Sequence, residues 1–405
     1  MPVISKKKIK IGRLKPVPGF TACGMSCGIK KNGKKDLALI VSDAPAAVAG
    51  VFTTNKVKAA PVMLSIARVK KGWTRGVVIN SGNANACTGR RGDKDAMAMT
   101  AAVEKALGLK TGEMLAASTG VIGVPLPVKK IEAASDALAS RLRNNGLAEV
   151  SEAILTTDAF PKTAFLSVNI HGVKISIAGI AKGAGMICPD MATLLAFFMT
   201  DAAIKPAALR RALKEAVDVS FNGISVDNDM STNDTALAFA SGASNPKEIK
   251  AGTPDFRRFT SLLTEVAQRL ARMIVMDGEG ATRFITLEVC GAASRKDAAS
   301  AAKTVASSML VKTAFFGGDP NWGRILAALG RAGIKMKEDR VDVFFNGVQV
   351  VKRGLDTGKE KKAARAVNPA EVLVRIGLNM GDFSTVHWTS DLSYEYVKIN
   401  SAYRT

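Results

Sequence analysis

The stretch KGAGMICPDMATLLAFF, residues 182–198, joins a glycine-rich loop to an apolar run. Lys182 opens it, Pro189 shapes its middle, and Thr193 stands where the apolar residues begin. The two histidines of the chain, His171 and His387, lie outside it. Two readings of Thr193 follow from these residues. It caps a helix that begins at Leu194, as threonine commonly does. Or it becomes a chain terminus after a cut at Ala192–Thr193, and its own α-amine serves as the base. Such an amine has an ordinary pKa of about 7.7–8.0, suited to proton transfer at neutral pH. In that case the Thr193 hydroxyl attacks the Ala192 carbonyl, and water opens the resulting ester.

Composition bounds what surrounds this stretch. The chain has 405 residues, 47% of them hydrophobic, with 36 glycines and only 5% aromatics. That suits a layered α/β enzyme with a large core. The net charge of +22 is dispersed, apart from KKKIK (residues 6–10) and GKEKKAAR (residues 358–365). Neither run has aromatics interleaved for base stacking, so nucleic-acid binding is not expected. The charge favours solubility and attraction of anionic metabolites. Five scattered cysteines (Cys23, Cys27, Cys87, Cys188 and Cys290) give no disulfide framework and are read as small buried residues in a reducing compartment. No apolar run is long enough for a membrane span, and a cytoplasmic protein is expected.

Strands and helices alternate along the chain. Buried strands are predicted at residues 35–43 and 76–82, and a helix at 93–109 with Asp93 as its cap and Gly108 near its end. Residues 116–127 read as a strand running into a loop, and 128–143 as a helix. Residues 164–183 read as a hairpin turning at His171–Gly172, its second strand aimed at the opening stretch. Helices follow at 205–221 and 255–275, a strand at 283–292, and one helix over 295–317 ending near a strand. The end of the chain is strand-rich. No composition break marks a linker, and the two halves look interwoven.

Most familiar chemistries lack their parts. Two isolated histidines leave few candidates for a Ser-His-Asp or Cys-His arrangement. There is no phosphate-binding G-x-x-x-x-G-K-[ST] and no dinucleotide fingerprint. Cys23 and Cys27 could pair as metal ligands, but no second Cys or His pair has suitable spacing, and no cofactor is expected.

The stretch closely resembles the signature of the ornithine acetyltransferase (glutamate N-acetyltransferase) family. The resemblance extends through VVINSGNANACTG (77–89), STGVIG (118–123), ILTTDAFPK (154–162) and SVDNDMSTNDT (225–235). It continues in DGEGATRF (277–284), KTAFFGGDPNWGRI (312–325) and EYVKINSAYRT (395–405). It implies an α/β (α+β) fold in four layers, α/β/β/α, of the DmpA/ArgJ type. It also implies self-cleavage between Ala192 and Thr193 into an α chain of residues 1–192 and a β chain of 193–405. These form one intertwined unit and assemble as a heterotetramer of two α and two β chains.

Carried over position by position, the resemblance makes Thr193 the nucleophile and Thr119 with Gly120 the oxyanion hole. Thr156, Lys182, Glu279, Asn400 and Thr405 become substrate contacts, with Thr157 an off-by-one alternative to Thr156. The implied reaction moves acetyl from N2-acetylornithine to glutamate, in arginine biosynthesis, with acetyl-CoA as a further donor in some relatives. The rival reading is a self-cut amidase or aminopeptidase in which water takes the acyl group. The chain departs from the family pattern at residues 188–190, 227–234 and within GGDPNWGR (317–324), none of them a proposed catalytic atom.

Overall fold

A computed structural model describes residues 14–188, 194–244 and 247–402. The first half supplies β1 (Phe20–Met25), β2 (Leu37–Phe52), β3 (Trp73–Asn83), β4 (Met114–Val121), β5 (Lys162–Ile170) and β6 (Val173–Lys182). Between them lie α1 (Ala60–Val69), α2 (Gly89–Ala106), α3 (Val128–Ala139) and α4 (Leu147–Ala153). Then come β7 (Leu195–Thr200), α5 (Pro206–Asp218), β8 (Ile224–Ser225), β9 (Thr235–Ala240) and α6 (Pro254–Met276). Among the described residues these strands form an eight-stranded sheet in the order β4-β3-β2-β9-β7-β6-β5, with β1 also on β2 and β8 elsewhere. The sheet therefore draws strands from both sides of residues 189–193.

Strand β2 turns this sheet into two layers. Its first half pairs with β1 and β3, its second half with β9, and the register shifts between Val41 and Ala46. Side chains alternate along a strand, so each half has an outer and an inner face. Leu37, Leu39 and Val41 pack outward on Met99 and Val103 of α2 and Ile131 and Leu138 of α3. Ala38 and Ile40 turn inward, in one cluster with Ile180, Phe197 and Leu237. Beyond the bulge, Ala46 and Val48 join the inner cluster, while Ala47 and Ala49 meet Leu213 of α5 and Leu270 of α6. The order is helices, sheet, sheet, helices: the four-layer arrangement that the resemblance implied.

The rest of the chain adds a second body: β10 (Phe284–Ala292), α7 (Arg295–Ala306), α8 (Met309–Gly317), α9 (Trp322–Gly330), β11 (Asp342–Phe345), β12 (Val348–Lys352), β13 (Leu355–Asp356), α10 (Glu360–Val367), β14 (Glu371–Gly377), β15 (Phe383–Ser390) and α11 (Tyr394–Ala402). Its seven-stranded sheet runs β13-β12-β11-β14-β10-β15-β8. Helices α7, α9 and α10 bury Val305, Leu329 and Val367 against one cluster of that sheet. On α6, the guanidinium of Arg272 lies 4.7 Å from the Phe284 ring centroid and 5.6 Å from that of Trp388, tying the second sheet to the first body.

Several sequence expectations need correction. Asp93 does not cap its helix, which starts four residues earlier at Gly89. Residues 295–317 form two helices, because Ser308 leaves the helical conformation and caps α8 through its hydroxyl, and a further helix follows rather than a strand. Strand β2 runs nine residues past the predicted end at Asp43. Cysteine burial is mixed: Cys23 and Cys188 are buried, but Cys87 is exposed. No helix among the described residues is long and apolar enough to cross a membrane.

Candidate active site

The hairpin β5–β6 carries Lys182 as the last residue of β6, which lies between the edge strand β5 and β7 in the first sheet. Its turn is where the sequence placed it: His171 has φ 52° and Gly172 φ 79°, the paired left-handed residues of a tight hairpin turn. Strand β6 then pairs antiparallel with β7, and the last pair is Lys182 opposite Leu195. The chain leaves the sheet at Lys182 and returns beside it, so Thr193 stands two residues before Lys182's partner. Ala192, Thr193 and Thr405 lie outside the described residues. The helix-cap reading of Thr193 fails, because the residues after Leu194 form strand β7.

Lys182 is buried, at 6% exposure, although lysine is ordinarily a surface residue. Its Nζ donates to Thr119 Oγ1 at 3.1 Å and to Thr156 Oγ1 at 3.0 Å. An ammonium can only donate, so both hydroxyls accept from it; Thr156 Oγ1 in turn donates to Asp158 Oδ2 at 3.5 Å, and the Thr119 proton is left to point elsewhere. Burial pushes the Lys182 ammonium below the ordinary lysine value; Asp158 pulls it back up, Lys162 lowers it further, and Asp234 and Glu279 raise it.

Thr119 and Gly120 close β4, where the pairing with β3 loses its register at Asn83. Gly120 has φ 134°, and a Cβ there would lie 2.3 Å from the Gly82 carbonyl carbon. No other residue fits without parting the two strands.

Under Lys182 lies an ionic cluster with no side-chain exposure at Lys162, Asp158 or Asp277. Lys162 Nζ meets Asp158 Oδ1 at 2.6 Å and Asp277 Oδ2 at 2.7 Å. Asp158 also accepts from the backbone N–H of Thr156 at 3.0 Å and of Gly183 at 2.7 Å. Burial alone would raise the Asp158 carboxyl, but Lys162, Lys182 and these hydrogen bonds hold it well below the ordinary range. The carboxylate thus fixes Thr156 and the start of the glycine loop together.

Glu279 lies on the far side of that loop. Its N–H donates to Ala184 O at 2.9 Å, and a Cβ on Gly185 would come within 2.4 Å of its carboxylate. Asn400 of α11 donates to Glu279 Oε2 at 2.8 Å. Tyr396 on the same helix donates to Asp227 Oδ2 at 3.2 Å, and Asp227 in turn accepts from Met186 N–H at 2.7 Å. Thr119, Gly120, Thr156, Lys182, Glu279 and Asn400 therefore border the glycine loop or the strand that enters it. Asp158, Lys162, Asp227, Asp234 and Asp277 were missed by sequence reasoning. Asp158 and Lys162 stand four apart, a spacing usually met on exposed helix faces, and here it spans a turn into β5.

Buried His387 is an unsuitable base. Burial, with Lys312 and Lys303 nearby, lowers it to about 3, and it packs against Ser225 Oγ at 3.1 Å. Among the described residues no group of three or more His, Cys, Asp or Glu is placed to hold a metal ion.

Comparison with known proteins gives a consistent picture. The sequence profile of the ArgJ family matches residues 21–405. The arginine biosynthesis bifunctional protein ArgJ of Geobacter sulfurreducens is 51% identical over 391 residues, covering 96% of this chain and 100% of that protein. The protein of the same name from Symbiobacterium thermophilum is 48% identical over 390 residues, covering 96% and 97%. A crystal structure of arginine biosynthesis bifunctional protein argJ from Bacillus halodurans matches with a TM-score of 0.50 and 37% identity. It covers 51% of this chain and 98% of the solved one.

Proposed function

The chain belongs to the ArgJ family, and on that premise we propose that it transfers acetyl from N2-acetylornithine to glutamate through an acyl-enzyme on Thr193. The observation that carries this reading is the Lys182 cluster. A buried ammonium holds the Thr119 and Thr156 hydroxyls at 3.1 and 3.0 Å, and its strand partner Leu195 follows Thr193 by two residues. A buried cation and two hydroxyls thus lie together at the end of β6, where the chain resumes after residue 193.

The chemistry starts with the chain itself. The Thr193 hydroxyl attacks the Ala192 carbonyl, the peptide C–N bond breaks, and the proton passes to the new α-amine. Water then hydrolyses the ester, leaving fragments 1–192 and 193–405 that assemble as two of each. The freed amine takes the hydroxyl proton when Thr193 attacks the acetyl carbonyl of the donor. Negative charge on the acetyl oxygen is met by the Thr119 hydroxyl and the Gly120 N–H. The proton is delivered to the departing ornithine amine. Glutamate repeats the sequence in reverse, its amine attacking the acyl-enzyme to give N-acetylglutamate.

Lys182 and Thr156 orient the amino acid, Glu279 faces its cationic end, and Asn400 with Thr405 closes over it. Acetyl-CoA would act as a second donor at the same nucleophile.

The test is intact mass of the purified protein, followed by a pulse of acetylornithine without acceptor. Two fragments are expected, with acetyl on the one beginning at Thr193 and its removal on adding glutamate. Thr193→Ala should give one uncut, inactive chain, and Thr193→Ser should keep some of both activities. An uncut wild-type chain with full activity, or acetyl on Cys188 or a lysine, refutes the reading.

A further inference from the structure

The β3–β4 ladder stops fixing the distance between its strands just where Thr119 and Gly120 stand. The pairing runs in register from Gly76–Met114 to Gly82–Gly120 and then slips, with Asn83 opposite both Thr119 and Val121. Past that point side chains join the strand ends. The Ser118 hydroxyl donates to Asn80 Oδ1 at 2.5 Å, and Asn80 Nδ2 donates to Asn83 O at 2.8 Å. A further contact comes from far along the chain. Asn233, 6% exposed and just before β9, donates from Nδ2 to Ser118 O at 2.8 Å and to Ala84 O at 2.7 Å.

The bridging group is chemically narrow. Carbonyl oxygens only accept, so serving two of them takes both hydrogens of one amide nitrogen. The carboxamide oxygen faces the other way and accepts the Thr232 hydroxyl at 2.6 Å. Backbone on either side of Asn233 is seated against the end of β2 and the start of α1. Thr53 N–H donates to Asp234 O at 3.0 Å, and Ala59 N–H donates to Thr232 O at 3.0 Å. The Ser118 carbonyl belongs to the peptide plane that leads into Thr119. Once that plane is held, only the two backbone dihedrals of Thr119 separate it from the Gly120 N–H. Ala84 N–H donates to Val121 O at 3.0 Å, so Thr119 and Gly120 lie between two anchored carbonyls.

We propose that Asn233 is a positioning residue for the oxyanion hole. Its carboxamide replaces the lost strand pairing and sets where the Thr119 hydroxyl and the Gly120 N–H point. This rests on the reading of those two groups as the hole given above. Both strands precede residue 189 and Asn233 follows residue 193, so each half of the chain holds part of the donor geometry. Donors aimed at charge that develops only in the transition state act on turnover, and a misdirected pair lowers kcat while leaving KM.

Asn233→Asp keeps the shape but offers at most one hydrogen where two carbonyls wait. Turnover, counted per cut molecule as N-acetylglutamate formed, should fall by about tenfold or more, with KM within about threefold of wild type. A merely structural role would lower the urea midpoint and leave turnover of the folded protein unchanged. The decisive readout is a double-mutant cycle with Thr119→Ala. That change should lower wild-type kcat by about 10²–10³-fold, but kcat of Asn233→Asp by less than about tenfold, because the hydroxyl there is already misdirected. If Asn233→Asp does not fold, Thr232→Val carries the same cycle: it removes the hydroxyl that anchors Asn233 Oδ1. Thr232→Ser, which keeps that hydroxyl, should restore turnover. A kcat within about threefold of wild type in the variant carrying the cycle overturns the proposal. Thr119→Ala without effect in wild type sinks the reading of the hole itself. A full Thr119→Ala effect in wild type that is undiminished in the variant sinks this proposal alone.

Discussion

Thr119→Ala tests the site at its most exposed assumption. The Thr119 hydroxyl accepts from Lys182 at 3.1 Å, which leaves its proton for another acceptor. If that acceptor is the acetyl oxygen as charge develops on it, removing the hydroxyl should lower kcat by about 10²–10³-fold, or roughly 3–4 kcal/mol of barrier. The KM for acetylornithine should change little, because the neutral carbonyl gains less from the same donor. A second effect has a different size and readout. The buried Lys182 ammonium loses one of its two hydroxyl acceptors, which costs about 1–3 kcal/mol of folding stability and appears in the urea midpoint. Thr119→Ser keeps both hydrogen bonds and loses only the methyl that restricts the rotamer, so its kcat should stay within about tenfold of wild type. The assay is initial-rate formation of N-acetylglutamate, with single-turnover acylation to isolate the chemical step. A kcat near wild type with a raised KM in Thr119→Ala would refute the reasoning and make the hydroxyl a ground-state contact.

Other perturbations reach the surrounding frame. Gly120→Ala sets a methyl 2.3 Å from the Gly82 carbonyl carbon at φ 134°, so β3 and β4 must part; thermal melting and turnover should both fall. Lys162→Met leaves Asp158 and Asp277 buried without their shared cation and should destabilise by about 3–5 kcal/mol in urea titration. His387 is held neutral, lowered by burial from an ordinary 6.5 to about 3. As pH falls from 6.5 toward 3 the unfolded chain gains a proton that the folded one refuses, so stability is lost across that window. His387→Gln should therefore lose less stability than wild type between pH 7 and 4.5, read from urea midpoints at both.

What was legible in the sequence was local. The His171–Gly172 turn and the amphipathic faces of α5 and α6 announce themselves within a few residues. The strand predicted at 35–43 stops short of the full β2 because the run closes on turn residues, with Pro45 two positions on. Residues 43–45 are exposed at the bulge, where a proline is tolerated within a strand. Lys162 and Lys182 were hidden for another reason: lysine type argues for the surface, and their partners lie up to 115 residues away. The resemblance marked Lys182 and Thr156, but nothing in it told that Asp158 ties them together.

The position of β7 bears on how this protein would come apart. Its strand is hydrogen-bonded on one side to β6, which precedes the proposed cut, and on the other to β9, which follows it. As a continuous chain, the molecule folds in a unimolecular step independent of its concentration. After the cut the same ladder joins two molecules, and whatever unfolds must find its complement again by diffusion. Renaturation of cut protein should then slow on dilution, whereas an uncut variant should recover at a fixed rate. A mature molecule of this kind persists because opening is slow, with durability set by the height of the unfolding barrier.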